Sequence, residues 1–437
     1  MMSHGCYRAG WLWWGCLLLL GGWPLAGHAQ EPRAGAAVID ITPPIGFPMW
    51  GYAARHDAPS EGVLDPLKAR AVVLEVGDQR LAIVSLDLGR APTRQSTVAI
   101  RARIQRDARI DHVLLVASHT HHGPVLELDD WPTPQAPYVR SLETKLGDVI
   151  VAAAKELKPA RLGIASKEVA LNRNRHSKRA DAPVDRELLV LRLEDADGKP
   201  IAHLVNFAAH AVLQDSKGRK FSADFPGVLA SVVEKELGGQ CLFLQGAAGD
   251  LSPYLPNESG PEKFGQALAR EVLALAGKIR CAANKAPSLR IDEEEFTFKP
   301  RLDLGNPLIK AALGFAFFPR LVAFYEQEYR PGVRPQLTVA LLDGQIGLVG
   351  VSGEFFCGQA LHLKRRARLE HLLFLGYCND YQQYFPTIEA VTEKGYGTDA
   401  PVAPAELGAG ERMMDRALIH LQTQRGLLKE VPPRKAP

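Results

Sequence analysis

Residues 112–124 read HVLLVASHTHHGP: six residues of buried-strand character, then serine, threonine and three histidines closed by Gly123-Pro124. The run His112–Ala117 is short, apolar and rich in branched side chains, as a covered strand should be. His119 and His121 stand two apart, so in extended backbone both imidazoles point to the same side and can face one pocket. Such a pair is a common way to present neutral imidazole to zinc. Alone, a histidine pair at a strand end is more often hydrogen-bonded structure. A third imidazole, His122, crowded into the same turn asks for a further reason.

Outward from that stretch the chain alternates strands and helices. Ala36–Ile41 reads as a short strand closed by Thr42-Pro43-Pro44, and Ala69–Val76 with Arg80–Asp87 as a hairpin about Gly77-Asp78. Thr97–Asp107 has helical spacing, and a second helix from Tyr138 to Leu157 stops at Lys158-Pro159. Glu187–Leu193 and Ile201–Ala208 form a hairpin about Asp197-Gly198. Pro226–Leu237 is a helix ended by Gly238-Gly239, Cys241–Gln245 a strand, and Pro261–Ile279 a long helix. Leu337–Leu342 and Ile346–Val351 close on Asp343-Gly344, the strongest hairpin signal in the chain. A helix from Gly410 to Leu428 precedes the tail Pro432–Pro437. The pattern predicts an α/β protein of mixed β-sheets flanked by helices, in one large catalytic domain. Pro307–Tyr325, PLIKAALGFAFFPRLVAFY, is read as a buried helix or helical hairpin broken at Pro319; the other reading is a lipid-facing lip.

The N-terminus reads as a secretory leader over residues 1–29: Arg8, an apolar run from Trp11 to Trp23, then Gly27-His28-Ala29 with cleavage after Ala29. That run falls short of the roughly 20 apolar residues of a membrane span. The remainder, 30–437, is expected to be exported, periplasmic or secreted. A net charge of +3 over 437 residues is too small and too dispersed for nucleic acid to be the expected partner. Of six cysteines, Cys6 and Cys16 leave with the leader. Cys241, Cys281, Cys357 and Cys378 enter a compartment that permits disulfides, with pairing open. Their spacing is not that of a zinc ribbon or finger, so any metal would be held by histidine and oxygen donors.

Other polar clusters also follow strands. His210 ends Asn206-Phe207-Ala208-Ala209-His210, and Glu354 ends Ser352-Gly353-Glu354. Each is unremarkable alone; together with the first motif they make a plausible zinc set with a position left for water. In Leu244–Pro253, LQGAAGDLSP, small residues let backbone N–H groups approach an anion, with Ser252 beside them. Read alone, it is a glycine-rich turn with Asp250 as a cap. Ser222–Gly227, SADFPG, reads as a helix cap, and the chain has no G-x-S-x-G elbow.

The order of VIDITPP, GVLDPLKARAVVL, SLDLG, SHTHHGP, LNRNRH, NFAAHAV, SADFPG, LQGAAGDLSP, SGEFF and NDYQQY, from Ala34 to Leu428, resembles the neutral, non-lysosomal ceramidases. The resemblance implies a mixed α/β catalytic domain with one Zn2+ that cleaves the amide of an N-acyl sphingoid lipid, and peripheral contact with membrane. Carried over by motif, the metal ligands are His119, His210, Glu354 and Tyr381. The choice between His119 and His121 stays open, with His119 taken first and His121 lining the pocket as a catalytic group. Ser252 matches the active-site serine, and Gly51, His122, Arg173, Arg175, Asp250 and Tyr396 fall where substrate contacts are expected.

There are departures. His122 stands at a small, serine-like position, Gly246-Ala247-Ala248 replaces a version with asparagine, and Ser352 replaces a proline. No C-terminal immunoglobulin-like domain of the kind the full enzymes carry is expected here. These bear on the substrate more than on the metal set. The alternatives are a hydrolase of another N-acyl compound or ester, a non-catalytic metal-binding relative, and a serine-only hydrolase.

Overall fold

The computed structural model describes residues 31–128, 138–284, 286–314 and 317–429. The leader read at 1–29 and the tail 432–437 lie outside the described residues. His112–Ala117 pairs in parallel with Gln79–Leu86 and is buried from Val113 onward. Continuous apolar character is what a strand covered on both faces requires.

Eight strands form one mixed sheet in the spatial order Gln240–Gln245, Pro200–Phe207, Glu187–Asp195, Lys158–Glu168, Arg33–Asp40, Lys68–Val76, Gln79–Leu86, His112–Ala117. Its halves join through only two paired positions, Arg33 with Pro159 and Ala34 with Lys158. A single core takes Leu74, Ile83 and Val116 from one half and Leu191, Leu204 and Leu242 from the other. The second sheet, Leu289–Glu295, Gln336–Leu342, Ile346–Val351 and His371–Leu375, adds Ala340, Leu348 and Leu373 to that core.

Helices cover the outer faces. Arg94–Ala108 and Tyr138–Lys155 pack their apolar stripes, Ile100, Ile104, Leu142 and Leu146 among them, on the first half of the large sheet. Asp224–Leu237 and Pro261–Ala276 do the same on the other half through Leu229, Val233, Leu268 and Val272. Cys357–Ala367 and Ala409–Gln424 cover the second sheet with Leu363, Met413 and Leu421. Starts and stops are chemical. The Thr93 hydroxyl accepts from the Ser96 N–H at 3.3 Å, Pro261 opens its helix, and Arg109 ends the first helix in the left-handed region.

Three parallel pairs set up the site: Gln79–Leu86 with His112–Ala117, Pro200–Phe207 with Gln240–Gln245, and Ile346–Val351 with His371–Leu375. Their carboxyl ends converge, the usual place for a crevice in sheets of this kind. Gln245 links two of them: its amide donates to the carbonyls of Ser118 at 3.0 Å and Ala209 at 2.7 Å, and its oxygen accepts from the Ala209 N–H at 3.1 Å. Gly376 N–H donates to the Gln245 carbonyl at 3.0 Å and brings in the third pair.

One expectation changes. The 307–325 segment is two helices, Pro307–Leu313 and Pro319–Tyr329, with the break at Pro319 as read. The first is not buried, however: Leu308 is 80% exposed, and only the second puts Leu321, Val322, Tyr325 and Tyr329 inside. Cys241, Cys281, Cys357 and Cys378 carry free thiols, where the sequence left pairing open, and Cys241, Cys357 and Cys378 are buried in separate surroundings. Among the described residues no helix is long and apolar enough to cross a membrane.

Candidate metal centre

His119 and His210 are fully buried. The His119 Nδ1 lies 2.7 Å from the Gly89 carbonyl, and the His210 Nδ1 lies 2.6 Å from the Ala248 carbonyl. A carbonyl can only accept, so both Nδ1 atoms carry the proton and both Nε2 atoms present lone pairs. Those lone pairs converge on Glu354 Oε2, at 3.3 Å from His119 and 3.1 Å from His210. The Tyr381 hydroxyl donates to Glu354 Oε1, and the Tyr377 hydroxyl donates to Oε2 at 3.4 Å. His121 completes the group, its Nε2 3.2 Å from that of His119.

The protonation states follow from burial and neighbours. Burial raises the Glu354 carboxyl, but the adjacent His119 and His210 outweigh it and hold it well below the usual range, so it is ionised. Burial, then Arg175, lowers His210 to about 3. Burial, then the neighbouring imidazoles, lowers His121 as well. Burial, then Glu354, raises the Tyr381 phenol well above 10. Inward-facing imidazole nitrogens around a buried, ionised carboxylate make a compact set of nitrogen and oxygen ligands. Such a donor set fits a divalent cation, and the carbonyls on Nδ1 are the outer partners that orient metal-binding histidines. His119, His121 and His210 offer ligand atoms all within 4.8 Å of one another.

Arg175 is hydrogen-bonded directly to an imidazole of this cluster. Its Nη2 donates to His210 Nε2 at 2.8 Å, to the Gly249 carbonyl at 3.0 Å and to the Tyr384 hydroxyl at 3.1 Å. The first of these occupies the lone pair that a metal would use. Arg175→Met is therefore expected to bind zinc about tenfold more tightly in chelator competition, the worth of one charge-assisted hydrogen bond. Unchanged affinity would count against that competition.

A cavity with an empty volume of about 720 Å³ opens onto the cluster; Gly51, His121, Glu354, Tyr381 and Tyr384 line its polar end, and Trp50, Phe317, Phe318 and Leu321 its apolar walls. Gly51 has φ +110°, and a Cβ there would lie 2.7 Å from His121, so a side chain would displace the imidazole. A Cβ on Gly89 would collide with the Trp50 ring. Tyr396, 67% exposed, stands at the rim of this cavity and of a neighbouring recess lined by Arg175, Lys178 and Lys394.

Other residues singled out in the sequence are placed differently. Asp250 is buried as a brace, accepting from Asn174 Nδ2 at 2.9 Å and from the Cys357 N–H at 2.7 Å. His122 Nδ1 lies 3.0 Å from the Lys220 carbonyl, and its ring does not line the cavity. Arg173 is exposed over the Tyr254 ring. Ser252 pairs with Arg173, directly after Leu251, whose carbonyl accepts from the His210 N–H at 3.1 Å; Ser252 lines neither the cavity nor the recess. The sequence reading missed Trp50, Tyr377, Tyr384 and Gln245. Only Trp50 carried a local signal, a large aromatic inside a Pro/Gly-rich turn.

The family model described as neutral/alkaline non-lysosomal ceramidase, N-terminal, matches residues 33–267. The chain is 29% identical over 180 residues to neutral ceramidase A of Dictyostelium discoideum, a match covering 35% of this chain and 25% of that protein. It thus spans about a quarter of that relative's length. Against neutral ceramidase of Pseudomonas aeruginosa it is 25% identical over 493 aligned positions, 90% of this chain and 72% of that one. The crystal structure of neutral ceramidase from P. aeruginosa superposes with a TM-score of 0.75 at 21% identity, covering 93% of this chain and 76% of that chain. A structure titled ceramidase complexed with C2 gives the same TM-score at 20% identity. At such identities the structural likeness shows the shared fold.

Proposed function

The chain belongs to the neutral/alkaline non-lysosomal ceramidase family, and from that premise we propose that it is a zinc-dependent amidohydrolase cleaving ceramide to sphingoid base and fatty acid. The observation that carries this reading is the convergence of two carbonyl-anchored imidazoles on Glu354 at the end of an apolar-walled cavity. His119, His210, Glu354 and Tyr381 would hold the ion. Zinc suits imidazole and oxygen donors, and when bound it supplies polarisation of the acyl carbonyl and a water of lowered pKa.

The chain's own residues do the rest. Trp50, Phe317, Phe318 and Leu321 take the hydrocarbon part of the substrate and exclude bulk water from the amide. His121, neutral at rest, takes a proton from the attacking water as its oxygen joins the acyl carbon, and hands that proton to the departing nitrogen as the C–N bond breaks. Ser252, the active-site serine by resemblance, lies beside the His210 backbone and outside the cavity. Its hydroxyl must therefore turn inward on substrate binding to stabilise, with nearby backbone N–H groups, the charge that develops on the carbonyl oxygen. Ser252→Ala should then lower turnover about 100-fold with zinc still bound. Zinc lost from that variant would make the serine structural.

The deciding experiment measures zinc per chain and amine release from ceramide, with and without a chelator, beside N-acyl amino acids and simple esters. One zinc per chain and chelator-sensitive ceramide turnover are expected. Full activity in chelator overturns the metal role, and preference for another acyl compound overturns the substrate. The leader at 1–29 and the single catalytic domain from residue 30 belong to the same reading. N-terminal sequencing of exported protein should begin at Gln30, and retention of Met1 would remove the leader.

A further inference from the structure

We propose that Arg90 is a positioning residue for this hydrolysis, holding the segment that carries Tyr381 and tying it to the wall of the substrate cavity. The inference rests on the functional reading above. Arg90 is 1% exposed and follows Gly89, whose carbonyl fixes His119. Its Nη2 donates to Asp380 Oδ1 at 2.9 Å, its Nη1 to Glu127 Oε1 at 3.1 Å and its Nε to the Ala91 carbonyl at 3.0 Å. The guanidinium carbon lies 5.4 Å from the centre of the Tyr381 ring. Each of its directions is thus used, and two of them fix the neighbourhood of Tyr381.

The two carboxylates extend the network. Glu127 Oε1 also accepts from the Tyr325 hydroxyl at 3.0 Å, and Tyr325, on the Pro319–Tyr329 helix, lines the cavity. Asp380 Oδ2 accepts from Gln382 Nε2 at 2.8 Å. One buried guanidinium thereby connects the cavity wall, through Glu127, to the loop that presents Tyr381 to Glu354. That loop needs holding. Tyr377, Asn379 and Gln383 have φ of 55°, 58° and 59°, a region that side chains other than glycine enter only when their surroundings enforce it.

Stability alone is a poor reason for this cluster, because apolar side chains of similar volume commonly do as well as a buried ionic triad. A planar fork spanning two carboxylates beside an aromatic face instead defines geometry. Three variants test the role. Arg90→Met leaves two unpaired buried carboxylates and can fail to fold for that reason. The charge-neutral triple variant Arg90→Met, Glu127→Gln, Asp380→Asn removes that difficulty, and Arg90→Lys keeps the charge without the fork.

For the triple variant we expect a folded protein whose zinc affinity is about tenfold weaker, as losing outer-shell support does. At saturating zinc its kcat should fall roughly 30- to 100-fold, the scale of an ångström of misplacement, with KM within about threefold of wild type. Arg90→Lys should regain only part of the rate. Wild-type zinc affinity and kcat in the triple variant would overturn the proposal, leaving Arg90 a charge balance only. If wild-type protein releases no amine from any substrate, the functional reading fails, while the zinc-affinity comparison still decides the positioning role.

Discussion

Glu354→Gln should lose its zinc and at least about a thousandfold in turnover, because it removes the one charge that the converging lone pairs surround. Glu354 is 2% exposed and contacts both Nε2 atoms, with two tyrosine hydroxyls on its oxygens. In the metal-free protein Gln keeps the shape of the side chain and an acceptor for the tyrosine hydroxyls, so the variant should still fold, with a loss of about 1–3 kcal/mol at most. The difference appears on adding metal. Zinc at 100 times its Kd stabilises a binding-competent fold by about 2.7 kcal/mol, and that gain should vanish in the variant. Thermal melts with and without zinc, alongside metal analysis, read both effects. A variant that keeps one zinc per chain yet loses its rate would make Glu354 a proton acceptor and not a ligand.

The fold was legible where local chemistry agreed with tertiary burial. His112–Ala117 and Ile346–Val351 occur with the bounds read from their apolar runs, and the Asp343-Gly344 hairpin is formed. Three strands escaped, one in the large sheet and two in the second. Lys158–Glu168, at the join of the large sheet, is mostly half-exposed and carries charge along its length, so the Lys158-Pro159 stop signal dominated. Leu289–Glu295 contains four consecutive acidic residues, which argues against a strand until their partners are known. Arg101 takes Glu293, Arg416 takes Glu294 and Arg94 takes Glu295, all from helices far away in sequence. His371–Leu375 is too short to stand out.

The candidate site was legible to the same depth. His119, His210 and Glu354 follow strands read from the sequence, Tyr381 came from the resemblance alone, and the sheets bring all four to one cluster. What local pattern could not carry is the supporting shell. The bonds from Arg90 to Glu127 and Asp380 span 37 and 290 residues, and no periodicity encodes them. Asp250 shows the converse, a conspicuous acid in a glycine-rich turn whose oxygens are consumed by Asn174 and Cys357.

The second large effect separates His119 from His121. Three imidazoles lie close enough to share one ion, so proximity alone does not choose between them. Their outer partners differ. Nδ1 of His119 and of His210 is held by a backbone carbonyl, which fixes ring orientation and makes Nε2 a better donor to metal. Nδ1 of His121 has no hydrogen-bond partner among the described residues, and its ring lines the cavity where substrate would lie. His119→Ala is therefore expected to lose zinc. His121→Ala should keep it while kcat falls about 100- to 10,000-fold, the span typical of a lost proton-transfer group. Leaving-group chemistry sharpens the distinction. An alkyl amine must be protonated as the C–N bond breaks, whereas an anilide departs with far less help. Turnover of an N-acyl anilide should accordingly suffer much less in His121→Ala than turnover of ceramide. Equal losses on both substrates, or zinc missing from His121→Ala, would make His121 a third ligand and leave the proton to another group.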